Sequence, residues 1–208
     1  NSDYAPNKWL NIGSRISLTY SKKSGLNEGR LLSSVLSRRP YFNTYYSDGS
    51  MVGVFNGQKN PMALIEYTTD FTDSYKMNFF QFGVIRFNKY MQFRTNLNFN
   101  CYLDKRKQME PSLITDEWQK SNKGFSYNHT NWNWMNENYL TYERKLGQHH
   151  FQAMVGMSLQ RWHYENENLV GINSSNDYIY TLNAFAANLD LSNTRTLVSN
   201  HALASVFA

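Results

Sequence analysis

Few side chains in this 208-residue chain have the type and spacing that chemistry demands. The closest acid pairs are Asp116-Glu117 and Glu165 with Glu167, the residue type that glycoside hydrolases use as general acid and base. Both pairs fall in stretches that read as polar loops, where carboxylates are solvated, so no catalytic residue is assigned. His149 and His150 are adjacent, and on a strand neighbouring side chains point to opposite faces, so they cannot share a ligand. His129, His163 and His201 lack metal-ligand spacing, and neither a metal nor a cofactor site is assigned. Cys101, the single cysteine, allows no internal disulfide and stands among alternating apolar residues as a small hydrophobe. Glycine-rich phosphate loops, nucleophile elbows and zinc-protease helices are missing from the sequence. The expectation is a protein that is not an enzyme.

Aromatic rings are the other chemistry on offer. Trp118, Tyr127, Trp132 and Trp134 lie in or beside a polar stretch at 103–131, where their faces could stack on sugar rings. Anchoring at a membrane interface or packing within a loop explains them equally well. Lys22-Lys23 and Arg38-Arg39 are short basic pairs in a chain whose net charge is +5. That excess is scattered as on a solvated surface, so nucleic acid is not an expected partner, while Arg38 and Arg39 are kept as candidate substrate or partner contacts.

The elements that must position these residues are strands. Apolar residues make up 41% of the chain and aromatic ones 16%, with Tyr 15 and Phe 13, a balance that favours β-structure. No apolar run approaches the roughly 18 residues of a membrane helix, which excludes helical spanning but not a β-barrel. Residues 92–102 alternate strictly: Phe93, Thr95, Leu97, Phe99 and Cys101 share one side, and Gln92, Arg94, Asn96, Asn98 and Asn100 the other. Similar patterns predict six strands near 8–21, 74–87, 90–102, 132–144, 149–162 and 197–208. In the fifth, Gln152, Ser158 and Gln160 oppose Phe151, Val155 and Leu159, while the facing of the second and fourth is ambiguous. Short turns near Asn88-Lys89 and Gly147 alternate with long polar links at 22–73, 103–131 and 163–196. Within the first link, Leu31, Leu32, Val35 and Leu36 predict an amphipathic helix over 29–39, ending before Pro40.

Long structureless links are uncommon in compact soluble domains but expected of an outer-membrane barrel, which has short periplasmic turns and long external loops. Aromatic residues at the strand ends, among them Trp9, Tyr90, Tyr102, Trp132, Trp134, Tyr139, Tyr142 and Trp162, suit interfacial girdles. A soluble secreted β-sandwich that binds glycans, and a short outer-membrane protein that completes its barrel by oligomerising, remain as alternatives. The absence of an initiator Met and a last segment, 201–208, that reads as mid-strand lead us to expect a fragment at both ends.

The succession "SLTYSKKSGLNEG", "LLSSVLSRRP", "YFNTYYSDGSM", "KNPMALIE", "FRTNLNFNCYLD", "NYLTYERKLGQHHFQAMVGMSLQ" and "ALASVFA" resembles the SusC/RagA-type TonB-linked (TonB-dependent) outer-membrane transporters across nearly the whole chain. The resemblance implies an all-β fold, namely an antiparallel transmembrane β-barrel segment of about six strands within a larger plugged barrel of about 22. It implies residues 1–208 as part of the barrel domain, with long extracellular loops and one short loop helix. It also implies a Gram-negative outer membrane, import of oligosaccharides or peptides energised through TonB, and a SusD-like surface lipoprotein partner. Further partners would be membrane lipid and the rest of the same barrel and plug, the TonB-contacting region lying outside this stretch. On that reading Gln92, Arg94, Asn96, Asn98, Asn100, Gln152 and Gln160 face the lumen.

Overall fold

The computed structural model describes residues 2–25, 28–115, 121–179, 181–185 and 188–208, and for Arg30 and Leu182 the backbone alone. In chain order the elements are β1 (Ser2–Asn7), β2 (Leu10–Ser24), α1 (Glu28–Leu36), β3 (Val54–Phe55), β4 (Gln58–Lys59), α2 (Pro61–Tyr67), β5 (Thr69–Arg86), β6 (Met91–Glu110), α3 (Ser112–Thr115), β7 (Lys123–Leu146), β8 (His149–Ile172), a 3-10 turn at Leu182–Phe185, and β9 (Arg195–Phe207). Seven strands form one antiparallel sheet in the order β1-β2-β5-β6-β7-β8-β9, and β3-β4 is a separate small hairpin. Neighbours in the large sheet are also neighbours in sequence apart from β3 and β4, so it is an up-and-down meander with no crossover. No described helix is long and apolar enough to cross a membrane, which leaves crossing by strands open.

The strands run longer than their hydrophobic alternation marks. The expected 90–102 becomes Met91–Glu110, 132–144 becomes Lys123–Leu146, and 149–162 becomes His149–Ile172. The long links shrink to 25–68, 111–122 and 173–194. The reason lies in sequences such as Asp104-Lys105-Arg106-Lys107-Gln108, polar on both faces and paired residue for residue with Asp70–Ser74 on one side and Phe125–His129 on the other. Period-two hydrophobicity vanishes where both faces meet water, while the backbone ladder continues. A seventh strand, β1, went unmarked because it carries Asp3 and Pro6, residues poor in strands, and Pro is tolerated at a sheet edge.

Short and long links alternate along the whole sheet, with every short one at one end of the strands. Between β7 and β8 the turn rests on Gly147 at φ +62°, a left-handed conformation that a β-carbon would strain. Between β5 and β6, the Asn88 side-chain oxygen accepts from the backbone N–H of Tyr90 at 2.8 Å and of Met91 at 3.0 Å.

At the opposite end the links are folded rather than slack. Asn60 is fully buried and caps α2, accepting from the Met62 N–H at 3.1 Å and donating to the carbonyls of Val52 at 2.7 Å and Thr44 at 3.0 Å. Beneath it Ala63, Leu64 and Ile114 form a small core with Met51, joining the first long link to the second. Gly53 lies directly on the Leu113 carbonyl. The third link is tied to the second by Asp177, which accepts from the Ser112 hydroxyl at 2.7 Å and the Asn122 amide at 2.7 Å. Its Phe185 is 1% exposed and lies across Gly124 and Gly171, a directly paired couple on β7 and β8. Tight turns in the first and third links are held by Asp48 and Asp190, whose carboxyls sit below the usual range because Ser50, and Ser192 with Asn193, donate to them. That support is present above the ordinary carboxylate range and lost as pH falls below it.

Two substitutions test this packing. Asn60→Ala removes a cap and strands two buried carbonyls, which should destabilise the first link by about 2 kcal/mol or more, read as faster amide exchange across α2. Gly124→Val occupies the space of the Phe185 ring, and overpacking of this kind costs about 1–3 kcal/mol; proteolysis within the third link should accelerate while the strands stay protected.

Candidate functional site

The register divides every strand of the sheet into two faces. Gln92, Arg94, Asn96, Asn98 and Asn100 of β6 stand opposite Arg86, Val84, Phe82, Phe80 and Asn78 of β5, and opposite Thr141, Tyr139, Glu137, Met135 and Asn133 of β7. One strand further, Met135 pairs with Gln160 and Glu143 with Gln152, which brings all seven residues expected on one surface onto a single polar face. The other face carries Ile85, Phe79, Met77, Leu97, Phe99, Leu140, Val155 and Leu159, which settles β5 and β7, the two strands whose facing the sequence left ambiguous.

The polar face is cross-linked by hydrogen bonds. Near the short-turn end the Arg94 Nε donates to Asn96 at 3.0 Å, and the Asn96 amide reaches Glu137 at 3.3 Å and Tyr139 at 3.4 Å. Higher up, Asn100 donates to Asn133 at 3.0 Å and the Ser74 hydroxyl to Asp104. At the long-link end the Arg106 guanidinium grips Asp70 with two bonds of 2.9 and 2.6 Å and donates to Gln108 at 3.1 Å. Gln108 donates to Glu110 at 2.8 Å, and Glu110 pairs with Lys59 at 3.2 Å, next to the α2 cap. A continuous polar chain therefore runs from the face of the sheet into the first long link.

Aromatic side chains collect between these zones. The His129 ring lies within 5.7 Å of Tyr102, 6.3 Å of Tyr127 and 4.9 Å of Tyr164, and all four are on the polar face. Tyr127 thus joins a cluster that sequence reasoning did not assemble; the missed signal was the odd-numbered series Tyr127, His129, Asn131, Asn133, hidden because its alternate positions are polar too.

Other candidates are dispersed. Trp132 and Trp134 pair with Cys101 and Phe99 on the apolar face, away from Tyr127, and Trp132 stacks on His163 at 5.1 Å. Tyr102, Tyr139 and Trp162, placed by sequence among girdle residues, lie instead on the polar face, because each is an even number of residues from a polar-face partner on its own strand. Arg38 is absorbed by packing, donating to the Phe42 carbonyl at 3.2 Å and the Thr44 hydroxyl at 2.8 Å with its guanidinium 4.5 Å over the Phe42 ring. Arg39 is exposed and donates to Tyr41 at 2.8 Å. Trp118 and the pair Asp116-Glu117 lie outside the described residues. Among the described residues no group of three His, Cys, Asp or Glu side chains could hold a metal ion.

The Asp70–Arg106 pair is the shortest ion pair among the described residues, with the Asp70 side chain 6% exposed and that of Arg106 42%. Half-exposure of the arginine limits its value, and a double-mutant cycle with Asp70→Ala and Arg106→Ala should return a coupling of about 1–2 kcal/mol in urea unfolding.

No family model matches the chain. It is 28% identical over 207 residues to TonB-dependent receptor P39 of Formosa agariphila, covering 99% of this chain and 20% of that protein. A second receptor of the same organism, TonB-dependent receptor P3, is 26% identical over 148 residues, 69% of this chain and 14% of its own length. The chain thus spans about a fifth of the first relative's length. Among solved structures, the RagAB peptide transporter superposes with a TM-score of 0.78 at 15% identity, over 98% of this chain and 24% of that one. The closed-closed state of the RagAB peptide importer gives 0.75 at the same identity and coverage. The chain is thus similar in sequence, over nearly its whole length, to TonB-dependent receptors, and its open antiparallel sheet has the fold of a piece of the RagAB transporter's barrel.

Proposed function

We propose that this segment is wall for an outer-membrane active transporter that imports oligosaccharides or peptides, energised through TonB, with a SusD-like lipoprotein as surface partner. The observation that carries the reading is the division of one sheet into a hydrogen-bonded polar face and an apolar face of membrane height. On β6 the apolar face holds Phe93, Leu97, Phe99, Cys101 and Leu103, a span of 11 residues that ends below Lys105 and Lys107. A tilted strand needs about 9–11 residues to cross the hydrocarbon. Near that upper limit Tyr20 and Tyr75 lie 5.1 Å apart, and the Tyr20 hydroxyl donates to Asp73 at 2.7 Å, as suits rings at a membrane boundary.

Within the band the polar exceptions bond to one another. The Asn136 amide donates to the Asn96 carbonyl at 3.1 Å and the Thr95 hydroxyl at 3.4 Å, and Asn138 donates to Asn136 at 2.5 Å. In this setting Gln92, Arg94, Asn96, Asn98, Asn100, Gln152 and Gln160 face the lumen, the short turns lie on the periplasmic side and the folded links outside. The likeness to named receptors supports import, and the polar, aromatic-bearing inner face supports a hydrophilic substrate. Residues 1–208 then constitute part of the barrel domain.

Arg placed on the two faces of β6 in the full-length receptor tests the reading. Leu97→Arg should impair membrane assembly by about 2–4 kcal/mol, while Asn98→Arg, one residue away, should be mild. Equal tolerance of both, measured as folded barrel recovered from outer membranes, would overturn the facing. Recovery of the receptor in water without detergent would overturn the membrane location itself.

A further inference from the structure

Resting on that reading of the apolar face, we propose that the outside of the wall holds a phosphorylated lipid headgroup just above its hydrocarbon band. Three cross-strand rows define the place. Tyr20, Tyr75 and Leu103 close the apolar face; the next row carries Lys22, Asp73 and Lys105, and the one above it Ser24, Phe71 and Lys107. Successive rows on one face lie about 7 Å apart along a strand. The headgroup layer adds roughly 5–8 Å on each side of the hydrocarbon, so the lysine rows begin inside it. Below them Leu18 and Met77, register partners exposed on the same face, offer a surface for acyl chains.

A concavity of about 440 Å³ opens at the upper ends of β2 and β5, lined by Lys22, Ser24, Thr68, Thr69 and Phe71 together with Gly25 and Asp70. The Lys22 ammonium stands 5.9 Å over the Phe71 ring, and Phe71 pairs on its other side with Lys107. Among the described residues Lys22, Lys105 and Lys107 have no carboxylate within ion-pair distance. The acids nearby are already engaged. The Asp70 carboxylate is held by Arg106 on the opposite face, Asp73 accepts from the Tyr20 hydroxyl at 2.7 Å, and Glu167, two strands from Lys105, accepts from Asn128 at 3.4 Å.

A second, independent sign comes from Thr68. Its hydroxyl is buried without a hydrogen-bond partner, on a residue that lines the same concavity. The backbone N–H of Thr68 donates to the Leu64 carbonyl at 3.3 Å and ends α2, so the hydroxyl is held in place. A buried polar atom left unpaired is the condition that a ligand oxygen relieves.

The donor set selects the ligand. One ammonium and the three hydroxyls of Ser24, Thr68 and Thr69 can all donate, and a phosphate group offers several acceptor oxygens with full negative charge. A free phosphate would meet a half-open surface on which water competes for the same donors. A phosphate carried on an acylated headgroup is delivered at this height by the chains beneath it, and the apolar face continues without a break from Leu18 and Met77 through the tyrosine row to the lysines. Because the folded links lie on the outer side, the lipid belongs to the outer leaflet.

The test uses the full-length receptor in detergent, titrated with diphosphoryl lipid A and, in parallel, with its dephosphorylated form, read by native mass spectrometry. The expected result is binding of the phosphorylated lipid at least tenfold tighter than of the other. Lys22→Gln and Thr68→Val should each weaken it at least fivefold. Lys23→Gln, the same loss of charge one residue along and on the opposite face, should leave it unchanged. Retained heat-modifiable gel mobility shows that each variant still forms its barrel. Binding that survives Lys22→Gln or Thr68→Val, or that Lys23→Gln weakens as much, would overturn the site. No binding, or equal binding of the dephosphorylated lipid, would overturn the phosphate, and displacement of the lipid by millimolar inorganic phosphate would reduce the site to one for a free anion. In each of those cases detergent dependence and the contrast between Leu97→Arg and Asn98→Arg would still stand, so the site can fall without the transporter reading.

Discussion

The whole structure depends on the backbone hydrogen-bond ladder. In hydrocarbon an unpaired N–H or C=O costs several kcal/mol, so a strand can cross a bilayer only when both of its edges are paired. Five of the seven large-sheet strands meet that condition here, whereas β1 and β9 pair on one edge each. Further strands must therefore complete the ladder in a membrane. The ladder also accounts for the uniformity of the fold: with antiparallel neighbours linked in sequence, each new strand extends the pairing without a crossover, and the side chains are left free to differ between faces.

That freedom explains the division of labour across the sheet. Below the Lys105 row the side chains separate into Phe99 with Trp134 on one side and Asn100 with Asn133 on the other. Above it both faces are polar, and the strands persist on backbone pairing and cross-strand ion pairs such as Asp70–Arg106. The extra height gives the long links a rigid base. Phe185 over Gly124 and Gly171 shows how they use it: two glycines opposite each other open a slot in the wall that a ring from the loop fills.

Legibility from sequence followed the same boundary. Where one face is apolar, the period of two located the strands and put residues such as Arg94, Asn98 and Gln160 on a common face. Where both faces are polar, Lys123–Asn131 read as loop, and the Tyr127–His129–Tyr164 cluster was lost with it. The ambiguous β5 run, "MNFFQFGVIRF", needed its partners: Phe79 is assigned by Phe99 and Phe80 by Asn98, facts of register that a single strand does not contain. Helix α1 was legible from its apolar spacing, but α2 was not, since its start depends on Asn60, whose bonds to Thr44 and Val52 form only in the folded loop.

The polar chain from Arg106 through Gln108 and Glu110 to Lys59 gives the wall and the loops a common mechanical fate. Lys59 immediately precedes the α2 cap, and Arg106 stands two rows above Tyr102 on the same face of β6. The aromatic row of Tyr102 therefore stands on a strand whose upper end holds the first link in place. Only the cationic ends of this chain reach water, Arg106 at 42% and Lys59 at 27% exposed, while the Asp70 and Glu110 carboxylates they hold are buried, so the link is fastened to the sheet through desolvated acids. The paired backbone ladder and the polar contacts that fasten the first link thus meet on a single strand, β6.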